Sequence, residues 1–123
     1  LLTHPCSPSF LRPWHNHVDN YGNYMPGFCG GLSFGKAEHL HSLVGTEIDP
    51  EVTPVLDYIA RDDFEGLLEF AESYGFLPSD EGYYSKCHLC SSIRSYLVAQ
   101  DPEGELFPEL APKEFYEHLA ETI

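Results

Sequence analysis

The stretch Ser85–Arg94, with the sequence SKCHLCSSIR, places two of the chain's four cysteines three positions apart. Ser85 is a favoured N-cap residue and predicts that a helix begins there. Cys87 and Cys90 would then lie on one face of its first turns, with their Cβ atoms about 5–6 Å apart. The positive end of the helix dipole favours thiolates, the form in which cysteine binds metals. By itself the stretch is compatible with a metal site, a redox pair, a disulfide or two small core residues.

The composition limits the classes of protein to which the chain can belong. Its 123 residues predict one domain, and a hydrophobic share of 42% predicts a globular fold. A balance of 20 Asp and Glu against 6 Lys and Arg gives a net charge of −14, which argues against nucleic acid or an anionic membrane as partner. No apolar run approaches the ~20 residues that span a bilayer, and no secretion signal is visible. We therefore expect a cytoplasmic domain, a piece of a longer protein, in which a Cys-x-x-Cys pair more often binds metal or reacts than forms a structural disulfide.

Helical spacing dominates the second half of the chain. Asp49 is predicted to cap one helix, and Asp62 or Asp63 to cap the next. Gly75 is expected to end that second helix in the left-handed conformation. A third helix follows in the SKCHLCSSIR stretch, and Pro112 is expected to open a fourth.

The first half is poor in helix formers and rich in Pro, Gly, His and aromatic residues. Asn20–Asn23, flanked by aromatic and β-branched residues, predicts a short two-stranded hairpin. The segment Gly27–Gly35 holds four glycines in nine residues and predicts a sharply turning loop. The predicted fold class is α+β: a small β-hairpin and Gly-rich loop layer packed against about four helices around a four-cysteine site.

The other two cysteines are Cys6 and Cys29, both set among turn residues. Two loop thiols and two from one helix turn fit four-thiolate ligation of either tetrahedral zinc or a [4Fe–4S] cluster. The redox interpretation of Cys87 and Cys90 is weaker, because no βαβ unit of the thioredoxin kind is visible around them. Burial as small apolar residues remains the alternative for each thiol.

The spacing of these cysteines resembles that of the auxiliary-cluster domains of radical SAM enzymes, the SPASM domain and its shorter relative, the twitch domain. In that family a cysteine precedes a hairpin whose turn reads roughly D-x-x-G-x-x-x-P-x-C, and Asp19–Cys29 is similar to it. A helix-borne cysteine pair then completes the site. The resemblance covers residues 4–35 and 85–95, and it implies that Cys6, Cys29, Cys87 and Cys90 bind one auxiliary [4Fe–4S] cluster for electron relay or substrate placement.

The resemblance also bears on what the chain lacks. The loop between Gly22 and Cys29 is longer than is usual in the family, and the extra cysteines of a two-cluster domain are absent, so one cluster is expected. The motif Cys-x-x-x-Cys-x-x-Cys, with which the family cleaves S-adenosylmethionine, is absent as well. No catalytic site is therefore predicted in this chain. The implied partner is a radical SAM core domain in the same parent chain, with a protein or peptide as a candidate substrate.

A structural zinc-binding interaction module, with the same four cysteines as ligands, is the alternative function. Zinc accepts imidazole as readily as thiolate, so the histidines near the cysteines are also candidate ligands. They are His4, His15, His17 and His88. Gly30–Gly35 is not interpreted as a phosphate loop, because it lacks the Lys-Ser/Thr pair of a Walker A sequence.

Overall fold

The computed structural model describes residues 17–19, 21–25, 30–36 and 48–122. Its elements, in chain order, are β1 (His17–Val18), β2 (Asn23–Met25), β3 (Gly35–Lys36), α1 (Pro54–Ala60), α2 (Phe64–Ser73), α3 (Lys86–Ala99) and α4 (Lys113–Thr122). Along the chain, α1 packs against α2, α2 against α3 and α3 against α4. Within the described residues, no helix is long and apolar enough to cross a membrane.

The prediction of an α+β fold is wrong. Helices hold about 46% of the described residues, whereas the strands are only two or three residues long and form no layer. The chain does turn back between 17–18 and 24–25, where His17 lies opposite Met25 in antiparallel register. The turn is stabilised locally, because the Asp19 carboxylate accepts hydrogen bonds from the amides of Tyr21 (2.8 Å) and Asn23 (2.9 Å). Strands this short bury little surface, so the helices supply the core.

The predicted start of α1 is wrong by several residues, since the helix begins at Pro54 and not directly after Asp49. Asp49 instead closes a turn: its carboxylate accepts a hydrogen bond from the Glu51 amide (2.9 Å), and its carbonyl accepts one from the Thr53 amide (2.8 Å). Short acidic side chains favour such local hydrogen bonds over continued helix. Pro54 then occupies the first helical turn, where its missing N–H costs nothing.

Both ends of α2 confirm the sequence prediction. Asp63 caps the helix by accepting a 3.0 Å hydrogen bond from the Gly66 amide. Gly75 adopts a φ of 99°, and the amide of buried Phe76 returns to the carbonyl of Ala71 at 3.0 Å. This is the hydrogen bond of a Schellman motif, which satisfies a carbonyl that the helix leaves free.

One hydrophobic core joins the four helices of the described residues to the Gly-rich loop. Leu32, from that loop, is fully buried in the same cluster as Leu89, Ile93 and Leu97 of α3. The other buried apolar residues are Val55, Leu56, Ile59, Phe64, Leu67, Ala71, Phe76, Leu89, Ile93, Leu97, Phe107, Leu110 and Tyr116. The loop that follows Cys29 in sequence is therefore packed on the helical body.

Candidate metal centre

Helix α3 presents the Cys-x-x-Cys pair in its first turns. Ser85 is its N-cap, as predicted, and the Ser85 hydroxyl accepts a 3.1 Å hydrogen bond from the His88 amide. The two thiols differ in environment: Cys87 is exposed, whereas Cys90 is half-buried and packs against the hydrophobic core. The Cys87 thiol therefore lies at the surface, and the Cys90 thiol lies deeper, against the core.

His88 completes the cap of α3 from the other direction. Its Nδ1 accepts a 3.1 Å hydrogen bond from the Tyr84 amide, and its ring stacks on that of Tyr84 with centroids 5.4 Å apart. Because Nδ1 is the acceptor, the neutral ring carries its proton on Nε2. In this arrangement neither nitrogen of His88 offers a lone pair to a metal, and the residue serves as a structural cap.

Arg94 lies one turn after Cys90, and the sequence did not indicate that its side chain is buried. It is only 6% exposed. One nitrogen, Nη1, donates to the Gly30 carbonyl at 2.7 Å and to the Tyr116 hydroxyl at 3.1 Å, and Nη2 donates to the Ser91 hydroxyl at 3.3 Å. The Tyr116 hydroxyl in turn donates to the carbonyl of Gly31. Helices α3 and α4 thus hold two consecutive carbonyls of the Gly-rich loop.

The electrostatics of this cluster follow from burial. Burial by itself opposes the charged form of Arg94, but the neighbouring Tyr116 and Cys90 side chains, both hydrogen-bonded to it, raise its pKa. Burial raises the pKa of Tyr116 to about 12, against the opposing effect of the Arg94 charge. At neutral pH the cluster therefore holds a buried guanidinium and an uncharged phenol beside the Cys90 sulfur.

The remaining predicted ligands fall largely outside the described residues. Cys6, Cys29, His4 and His15 lie in segments that the structure does not describe, and only the backbone of His17 is described. Among the residues it does describe, no group of three or more His, Cys, Asp or Glu side chains could hold a metal ion. The structure thus describes the helical half of the predicted site, with Cys87 and Cys90. It also describes Gly30, the residue after Cys29 in the sequence.

A second buried polar group, Glu109, lies between the loop and α1. Its carboxylate accepts a 2.8 Å hydrogen bond from the Val55 amide, and its carbonyl accepts one of 2.8 Å from the Ser33 amide. The side chain is buried, and its Oε1 has no partner among the described residues. Burial raises the pKa of Glu109 to about 7. We assign this carboxyl a structural role, as the cap that α1 lacks locally.

A cleft of about 170 Å³ lies on another side of α3, next to Asp101, Phe107 and Lys113. Its charged groups already have partners: the Asp101 carboxylate accepts from three backbone amides, and Lys113 donates to the Pro102 carbonyl. These contacts hold the loop that borders the cleft.

Comparison of the chain with protein-family models, with curated proteins and with solved structures found no match.

Proposed function

We propose that this chain is an accessory domain of a radical SAM enzyme and that it binds one [4Fe–4S] cluster through Cys6, Cys29, Cys87 and Cys90. The cluster would supply one-electron transfer or a docking point for substrate beside the core domain, which we place in the same parent chain. A cytoplasmic location is part of the proposal. A protein or peptide is the candidate substrate class.

The hydrogen bond from Arg94 to the Gly30 carbonyl is the observation that carries the proposal. It attaches the residue after Cys29 to the helix that bears Cys87 and Cys90, at a distance of 2.7 Å. Two parts of the sequence that the proposed site requires to meet are therefore linked at this point.

The chemistry of the helical half suits thiolate ligands. Cys87 lies in the first turn of α3, where the helix dipole favours negative charge. Cys90 lies against a buried guanidinium, which also favours an anionic sulfur. Iron and zinc bind the deprotonated form of cysteine, so positive charge near the two sulfurs is compatible with the proposed ligand set.

Anaerobic reconstitution with iron and sulfide tests the proposal. We expect a brown protein with about four irons per chain, as a [4Fe–4S] cluster requires. Cys90→Ala and Cys29→Ala should each lose most of that iron. Ser95→Ala, on the same helix as Cys90, is the matched control and should retain it.

The alternative functions give different outcomes in the same experiment. A colourless chain that takes up one zinc and unfolds with a chelator would support a structural zinc module instead. Reversible oxidation of Cys87 with Cys90, with no metal bound, would support a thiol-redox protein. Either result would contradict the cluster-binding proposal.

A further inference from the structure

Arg94 is a buried cation without an acidic partner among the described residues. Among the described arginines, Arg61 is the one that forms ion pairs, with Asp57 and Asp63 at the surface. Arg94 instead contacts carbonyl and hydroxyl oxygens and the Cys90 thiol, and its Nε has no partner within the described part of the chain. Burying an uncompensated charge is strongly unfavourable, so a guanidinium in this position calls for an anion.

Among the described groups that contact Arg94, only Cys90 can supply that anion. The phenol of Tyr116 and the hydroxyl of Ser91 are uncharged at neutral pH. Cys90 lies four positions before Arg94 on α3, so both side chains occupy the same helical face. A metal-bound thiolate is anionic, because ligation replaces its proton.

Resting on the function proposed above, we infer that Arg94 is a positioning residue of the site: it holds the loop that follows Cys29 and places a fixed positive charge beside the Cys90 sulfur. The guanidinium has enough donors to form both contacts at once, and it carries the charge as well. Groups that hydrogen-bond to metal ligands commonly change the metal affinity and the reduction potential of the site.

Holding the loop and supplying a positive charge predict different effects of substitution, so variants of Arg94 can separate the two roles. A positive charge near a cluster stabilises its more negative, reduced form. Arg94→Met should therefore lower the equilibrium constant for one-electron reduction about tenfold, which corresponds to about 59 mV in midpoint potential. Arg94→Lys keeps the charge and should recover most of that shift, although it loses part of the hold on Gly30.

Tyr116→Phe is the matched control. It removes a buried hydroxyl that contacts both Arg94 and the Gly31 carbonyl, but it leaves the charge in place. We expect this variant to melt at a lower temperature while keeping the wild-type potential. If Arg94→Met does not fold, Arg94→Gln takes its place, because the amide can still donate to Gly30.

The experiment compares the reconstituted proteins by iron content, melting temperature and potentiometric titration followed by electron paramagnetic resonance. A lowered potential in the uncharged variant, with most of the shift recovered in Arg94→Lys and the wild-type value kept in Tyr116→Phe, supports the inference. An unchanged potential in the uncharged variant, or equal shifts in it and in Tyr116→Phe, overturns the inference while the cluster proposal stands. If the wild type takes up only zinc, the cluster proposal fails. The role of Arg94 is then tested by chelator competition, and an about tenfold weaker zinc affinity of the uncharged variant supports that role. A wild type that binds neither metal overturns both.

Discussion

The carboxylate of Glu109 accepts a 2.8 Å hydrogen bond from the amide of Val55, which lies 54 residues earlier in the chain. Thr53, the N-cap residue of α1, makes no side-chain hydrogen bond to the helix. Glu109 therefore supplies from a distant loop the acceptor that a helix usually finds at its own N-cap. The same residue accepts the Ser33 amide through its carbonyl, so it joins α1 to the Gly-rich loop.

The burial of Glu109 makes stability depend on pH. Its pKa is raised from 4.5 to about 7, so between these values the folded protein binds more protons than the unfolded chain. The contribution of this group is complete below pH ~4.5 and is lost as the pH rises through ~7, an expected loss of about 2 kcal/mol between pH ~5.5 and ~8. Urea denaturation at both pH values measures it.

Glu109→Gln should remove this pH dependence, because an amide does not titrate but still accepts a hydrogen bond from Val55. Glu72→Gln, at an exposed site on α2, is the control and should keep the wild-type difference between the two pH values. Equal pH dependence in Glu109→Gln and wild type would show that the carboxyl is already ionised in the folded protein at the lower pH.

Asp101 should stabilise the protein with the opposite pH dependence. Burial disfavours its ionised form, but hydrogen bonds from the amides of Phe107, Leu106 and Glu105, with the charge of Lys113, lower its pKa below 3.8. The contribution of Asp101 is therefore present above pH ~3.8 and is lost as the pH falls through the lower folded-state value.

Asp101→Asn tests that role. The neutral side-chain amide is a weaker acceptor than the carboxylate, and its NH2 group would face backbone N–H groups that are themselves donors. We expect a loss of about 1–3 kcal/mol at neutral pH and a smaller further loss on acidification than in wild type. Thermal melts followed by circular dichroism from pH ~7 to ~2 measure both effects. Asp80→Asn, in an exposed loop, is the control, and a melting temperature as high as that of this control would argue against the role of Asp101.

Gly31 is expected to tolerate no side chain, for two separable reasons. Its φ is +81°, which disfavours any L-residue with a Cβ, and that Cβ would lie 2.7 Å from the Tyr116 hydroxyl and closer still to the Phe115 ring. Gly82 has nearly the same φ, +80°, with nothing within 4 Å of its Cβ position. The two sites therefore share backbone strain but differ in packing.

Gly82→Ala should cost about 1–2 kcal/mol, the strain of a left-handed residue alone. Gly31→Ala should cost more than about 3 kcal/mol, because the helix that carries Phe115 and Tyr116 must also shift. Urea denaturation of the two variants gives the comparison. Equal losses would mean that the loop moves aside without cost and is not held by Tyr116.

Ser85→Ala should weaken the helix that carries the cysteine pair. It removes the acceptor of the His88 amide and should cost about 1 kcal/mol. Ser92→Ala, on the same helix, removes only a hydroxyl that donates to the His88 carbonyl, and a change within about 0.5 kcal/mol is expected. Amide hydrogen exchange in the first turn of α3 should be faster in Ser85→Ala than in Ser92→Ala. Similar exchange in both would contradict the capping role.

Local signals in the sequence were enough to predict much of the helical half. The caps at Asp63 and Ser85 and the left-handed Gly75 depend on hydrogen bonds between residues a few positions apart, which spacing reveals. The start of α1 was missed because Asp49 had two local options, a cap or a turn, and its side chain forms the turn. The predicted α+β class was wrong because the sequence signal for a hairpin predicts the turn but not the length of the strands beside it.

The sequence alone was enough to place both ends of α2 and the start of α3, and to put two thiols in the first turns of α3. Only the tertiary structure decided that Arg94 is buried and holds Gly30, and that Glu109 caps α1. The first contact joins residues 64 positions apart and the second 54, and neither side chain carries a local pattern that distinguishes it from a solvated charge. The physical reason is burial: a charged residue enters the core only when distant parts of the chain supply its partners, and those partners are chosen by packing.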